Sequence, residues 1–193
     1  MKIAVVVLAG GEGRRIGGNK PMRLLGDTSL IDRAVELGRQ WSDSVAVAVR
    51  SEAQVRGGGF ACILDDPAIE GPLAGLVAAL RFARDEGADG VLTLPADMPF
   101  LPADLAGCLG RALGDRRAVI ASSGGRLHPV CGLWLTAALD AAPNYLASHR
   151  RSLSGFADAV GHIAVDWPAG ADDPFFNINS AADLAVAEAR LRG

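Results

Sequence analysis

The chain has 193 residues, half of them apolar, with 19 basic and 22 acidic side chains and a formal net charge of −3. That length can bury roughly 70% of its unfolded surface in one domain, and the mild acidity excludes general nucleic-acid binding, which needs a basic stripe. Cys62, Cys108 and Cys131 are odd in number, widely spaced and without a Cys-x-x-Cys pair, which excludes a disulfide framework or zinc cage and predicts apolar packing for all three.

The first apolar run, residues 3–8, is long enough for a buried strand and too short for a secretory signal. No later run reaches the ~18 apolar residues of a membrane span, so no membrane contact and a cytoplasmic location are expected. Residues 8–21 then read LAGGEGRRIGGNKP. Glycines let backbone N–H groups approach anionic oxygens, and Arg14, Arg15 and Lys20 supply charge, so this loop is suited to a polyphosphate. All but two of the 19 basic residues are arginine, and one of the two lysines falls inside this loop, where a compact ammonium suits a phosphate. Pro21 favours extended dihedrals at Lys20, carrying the loop on to the lysine.

Beyond the loop, apolar runs of strand length alternate with amphipathic segments of helix length, as in parallel strands joined by crossover helices. Strands are predicted at 44–49, 61–64, 90–94 and 118–122, with helices at 29–40 and 72–86; Pro72 suits the first helical position. Gly124-Gly125 marks a turn, after which strands are expected at 128–134 and 161–167, adding antiparallel pairing to the sheet. Ser180 with Asp183 three residues later resembles a capping box for a last helix ending near Leu191. No linker or repeat divides the chain. The expected fold is a single-domain Rossmann-like three-layer α/β/α sandwich with a mostly parallel, partly mixed sheet, residues 1 to about 122 forming the nucleotide-binding part.

Two familiar phosphate loops are excluded. In a Walker A loop, Lys follows the second Gly directly and is followed by Ser or Thr; here Asn19 precedes Lys20 and Pro21 follows it. In a dinucleotide fingerprint, Gly11-Glu12-Gly13-Arg14-Arg15 leads to Ile16, where a small residue is required.

Leu8-Ala9-Gly10-Gly11, the double arginine, Gly17-Gly18 and Lys20 resemble the signature of molybdenum cofactor guanylyltransferases. The resemblance continues in order through Ile63-Leu64-Asp65-Asp66, Gly71-Pro72-Leu73-Ala74-Gly75, Pro95-Ala96-Asp97-Met98-Pro99-Phe100, His128-Pro129 and Phe176-Asn177-Ile178-Asn179, and spans essentially the whole chain. It implies that Leu8, Ala9, Gly10, Gly11 and Lys20 bind GTP, with Gly11 marking guanylyl rather than pyrimidine specificity. It also implies that Arg15 and Lys20 face the phosphates, and that Asp65 contacts the nucleoside, with Asp66 as the neighbouring alternative. The chain departs from the family at Ala48-Val49-Arg50, where an asparagine is common.

Ligands of open α/β sheets sit outside the carboxyl ends of strands, so the glycine loop, Asp65 and Asp97 are expected to converge. Asp97, stiffened by Pro95 and Pro99, suits a Mg²⁺ cofactor shared with phosphate oxygens. The catalytic set is therefore Arg15, Lys20 and Asp97. Asn177 or Asn179 offers a second metal ligand, an acceptor contact or a helix entry. By resemblance His128 is an acceptor contact; as a lone histidine at a strand end it reads equally as structural. The resemblance implies a molybdopterin-type acceptor, bound by residues about 123–193; transient contact with cofactor-synthesis proteins or acceptor enzymes and a monomeric state are also expected. CTP- or UTP-dependent transfer to another phosphorylated acceptor is the alternative. A dehydrogenase-like binding module using Arg50 for a 2′-phosphate fits least.

Overall fold

The computed structural model describes residues 1–10, 20–55, 58–170 and 172–192. In chain order its elements are β1 (Ile3–Leu8), β2 (Leu24–Leu25), β3 (Thr28–Ser29), α1 (Leu30–Arg39), β4 (Val45–Val49), β5 (Ala61–Leu64), α2 (Leu73–Asp85) and β6 (Gly90–Pro95). There follow α3 (Leu105–Ala112), β7 (Ala118–Ser123), β8 (Arg126–Leu135), α4 (Ala142–Ala147), α5 (Leu153–Val160), β9 (His162–Trp167) and α6 (Ala181–Arg192). No helix among the described residues is long and apolar enough to cross a membrane.

Seven strands form one sheet in the order β5-β4-β1-β6-β8-β7-β9. β1 lies parallel between β4 and β6, and its unbroken apolar run is what burial on both faces requires. Alternate residues serve opposite faces. Ala4 and Val6 pack with Leu73, Leu76 and Leu80 of α2 and with Phe156 of α5. On the other side Val5 joins Leu105 and Leu109 of α3, and Val7 joins Ile31 and Val35 of α1. Helices therefore cover both faces, giving the three-layer architecture.

β8 introduces the antiparallel half and shapes the functional edge. It pairs with β6 from Leu135 back to Gly132 and no further. Against β7 its register jumps: Ile120 faces Gly132 while Ala121 faces His128. Pro129, Val130 and Cys131 therefore bulge out of the ladder, where the missing N–H of proline costs no hydrogen bond. The last residues of β6 lose their neighbour on that side. This divergence opens space at the carboxyl end of the sheet, beside the switch point where the connections from β1 and β6 leave in opposite directions.

Several features depart from the sequence pattern. Lys20 opens a 3-10 turn, Lys20–Met22, instead of being extended; Arg23 N–H donates to Lys20 O at 3.2 Å, and Pro21 has the fixed φ that the second position of such a turn favours. The hairpin of β2 and β3 turns on Gly26 at φ 63°, and the short helices α3, α4 and α5 occupy stretches whose periodicity is too brief to register. Pro72 sits at the N-cap of α2, one residue before its predicted place. Of the cysteines only Cys131 is buried; Cys62 is exposed on the edge strand β5.

Candidate active site

At the end of β1 the backbone is pinned from both neighbours: Ala9 N–H donates to Ala48 O at 2.9 Å, and Leu8 O accepts from Ala96 N–H at 3.3 Å. Gly10 follows. A Cβ on it would stand 2.5 Å from Asp65 Oδ2, so glycine is needed for Asp65 to occupy its position. Asp65 is itself held just past β5 by its N–H to Val49 O, 2.8 Å. From the opposite side Gly75 of α2 comes so close that an added Cβ would lie 3.2 Å from Asp65 Oδ1. Wedged between two glycines, Asp65 Oδ1 is buried and accepts no hydrogen bond among the described residues. Burial raises its pKa, opposed by the positive charge of Arg50. A buried carboxylate oxygen without a donor marks a place where a ligand donor fits.

Asp97 follows β6, and its main-chain O accepts from Ile178 N–H at 2.9 Å, docking the segment before α6 against the site. Lys20 Nζ lies 2.5 Å from Asp97 Oδ2 and donates to Asn179 Oδ1 at 2.9 Å. Asn179 is fixed by the cap of α6. The Asp183 carboxylate accepts from the N–H groups of Asn179 (2.9 Å) and Ser180 (2.8 Å), while Ser180 Oγ accepts from Asp183 N–H (3.1 Å). The shorter aspartate thus completes both halves of the capping box, and these hydrogen bonds hold its pKa below the ordinary value.

Leu8, Gly10, Arg50, Asp65, Asp97 and Asn177 line one cleft of about 260 Å³. Asn177 Oδ1 is a second buried oxygen without a partner among the described residues. Asp97 and Asn177 offer hard oxygen donors suited to Mg²⁺. No three His, Cys, Asp or Glu side chains among the described residues form a ready-made metal cage, so a metal here would draw further ligands from phosphate and water.

Past Gly71, Pro72 and Val130 the cleft continues into a groove bordered by Glu70, Arg151 and Ser154. The Arg151 guanidinium is steadied by the carbonyls of Leu146 (2.9 Å) and Arg150 (2.8 Å). The sequence pattern does not single out Arg151, Gly75 or the bulge at Val130; the adjacent pair Arg150-Arg151 before the Ser152 cap was the available signal.

Of the predicted site residues, Leu8, Gly10, Asp65, Asp97 and Asn177 share the cleft wall, Lys20 and Asn179 join through Asp97, and Ala9 is buried beneath. Asp66 turns away to pair with Arg81 at 2.6 Å. His128 stands apart from the cluster: it is buried, with Nε2 2.8 Å from Ser123 Oγ and its ring stacked on Phe175 at 4.5 Å. Burial and Arg126 lower its pKa. Gly11, Arg14, Arg15, Gly17 and Gly18 lie outside the described residues.

The model of the MobA-like NTP transferase domain matches residues 5–163. A molybdenum cofactor guanylyltransferase of Cereibacter sphaeroides is 39% identical over 194 residues, covering 100% of this chain and 98% of its own. One of Acidiphilium cryptum is 38% identical, covering 97% and 94%. Among solved structures, molybdopterin-guanine dinucleotide biosynthesis protein A of Archaeoglobus fulgidus superposes with TM-score 0.76 at 26% identity, over 100% of this chain and 99% of that one. A 4-diphosphocytidyl-2C-methyl-D-erythritol synthase of Anaerococcus prevotii shares the fold, with TM-score 0.77 at 15% identity, covering 100% and 96%.

Proposed function

Since this chain belongs to the MobA-like nucleotidyltransferase family, with molybdenum cofactor guanylyltransferases as full-length relatives, we propose that it transfers GMP from GTP to the terminal phosphate of molybdenum-loaded molybdopterin, releasing pyrophosphate. The observation that carries the nucleotide preference is the carboxylate oxygen of Asp65 that has no partner among the described residues, buried between Gly10 and Gly75. Guanine presents two adjacent donors, N1–H and the 2-amino group, which pair with a carboxylate two for two. Cytosine and uracil have no such pair.

The reaction forms one P–O bond and breaks another. An oxygen of the acceptor phosphate attacks the α-phosphorus of GTP, and the α–β bridging oxygen departs with pyrophosphate. The second pKa of a phosphate monoester is about 6, so the attacking oxygen is already anionic near neutrality and no general base is needed. What remains is alignment and charge neutralisation. Asp65 and Gly10 hold the nucleoside end, the loop donors and Arg15 take the phosphates, and Lys20 neutralises the leaving pyrophosphate. Arg151 and the groove beyond Pro72 hold the acceptor. Asp97, with Asn177 as second oxygen donor, would hold Mg²⁺, which would supply charge neutralisation on the phosphates. In this reading the product passes in transient contacts to the enzymes that use it, from a monomer in the cytoplasm.

The test is pyrophosphate release from GTP, CTP and UTP with molybdenum-loaded molybdopterin and Mg²⁺. GTP is expected to be preferred, and Asp97→Ala to lower turnover by at least ~100-fold with an unchanged circular dichroism spectrum. Near-normal turnover in Asp97→Ala overturns the metal assignment, and preference for CTP moves the protein to the cytidylyl branch of this fold.

A further inference from the structure

The ammonium of Lys20 rests on the very carboxylate assigned to the metal. Lys20 Nζ and Asp97 Oδ2 are 2.5 Å apart, and their side chains are only 12% and 23% exposed. We propose that Lys20 is a placeholder cation, seated on Asp97 until nucleotide arrives, and that Asn179 is the positioning residue keeping it in the cleft once a metal takes that seat. Metal then enters with or after the triphosphate and not before it. The proposal rests on the reading of Asp97 as the metal ligand.

A half-buried carboxylate is destabilised without a countercharge, and a lysine ammonium is a compact one. Mg²⁺ bound to the same oxygen would lie about 2.1 Å from it, crowding three positive charges around a single negative one wherever Lys20 stays in place. Repulsion at such distances is strong where the charges are partly buried, as here. A triphosphate changes the balance, because its oxygens give the ammonium a new partner and the metal further ligands.

The tether is suited to such an exchange. Asn179 Oδ1 accepts from Lys20 at 2.9 Å. Its backbone is clamped by Asp183, and the neighbouring Ile178 N–H is bonded to Asp97 O. The amide oxygen is therefore fixed relative to Asp97 and, being neutral, retains the lysine without a charge that would trap it. Asp183 adds a longer-range attraction between the α6 cap and Lys20.

Mn²⁺ is the probe, with binding to the nucleotide-free protein followed by electron paramagnetic resonance. Lys20→Gln, and independently Lys20→Met, are expected to bind Mn²⁺ at least ~10-fold more tightly than the wild type, because the competing ammonium is gone. Adding Asp97→Asn should abolish that gain. Asn179→Ala should raise KM for GTP several-fold while leaving Mn²⁺ affinity in the absence of nucleotide unchanged, a split that mere loosening of the fold would not produce. Unchanged or weaker Mn²⁺ binding in both lysine variants, with Asp97→Asn still inactive, overturns the placeholder and spares the metal site. Full activity in Asp97→Asn overturns both.

Discussion

At Asp65 the same burial that suits the proposed nucleoside contact works against the fold. The carboxyl group is squeezed between Gly10 and Gly75, and loss of hydration raises its pKa above 3.8, with Arg50 opposing the rise. The unfolded chain has the lower pKa, so the folded state favours the protonated form. Below pH 3.8 the acid is neutral in both states and carries no penalty. As pH rises through the folded pKa the ionised form costs stability, and the cost is complete at neutrality. Asp65→Asn is therefore expected to melt at a higher temperature than the wild type at pH 7, with the difference vanishing in scans below about pH 3.8. The same variant should raise KM for GTP roughly 10- to 100-fold, the range for hydrogen bonds to a charged group. Gly10 and Asp65 are both legible in the sequence as members of family motifs. Their mutual dependence is not, because 55 positions separate them and only the β1-β4-β5 ladder brings them together.

The element that carries most of the proposed site's support is α6, although it buries only Ala187. A helix with so little apolar anchorage is held by its ends. Arg190 stacks over Phe100 at 4.0 Å and donates to Asp173 O at 3.0 Å, while the capping box closes the other end. Removing the box with Asp183→Ala is expected to cost about 0.5–1 kcal/mol in thermal unfolding. It should also raise KM for GTP, since Asn179 loses its clamp and with it the support for Lys20. The box was visible as Ser180 and Asp183 spaced by three. The long strands β1, β4, β6 and β7 were equally visible, because each is an apolar run bounded by polar or turn residues. The helices α3, α4 and α5 were not, since six to eight residues give barely two turns of periodicity and their formation depends on packing against the sheet.

Over the whole molecule, the cleft joins residues from the first, middle and last parts of the chain, so ligand binding should tighten the fold as a unit. With GTP and Mg²⁺ at about 100 times Kd the stabilisation is about 2.7 kcal/mol, or roughly 5–10 °C in melting temperature for a domain of this size. CTP at equal concentration should give a smaller shift in differential scanning fluorimetry. What the amino-acid order determined by itself was local: the buried parallel strands, a glycine-rich loop after the first of them, acidic residues after two others, and the family these motifs resemble. Short-range periodicity and turn chemistry carry that information without any partner. Tertiary structure alone decided that Asp65 rather than Asp66 faces the cleft, that His128 is packed against Ser123 and Phe175, and that Lys20 meets Asp97 and Asn179. Each of these depends on where a strand ends relative to its neighbour, which is set by the sheet register and the divergence of β8 from β6 and by no pattern within a single segment.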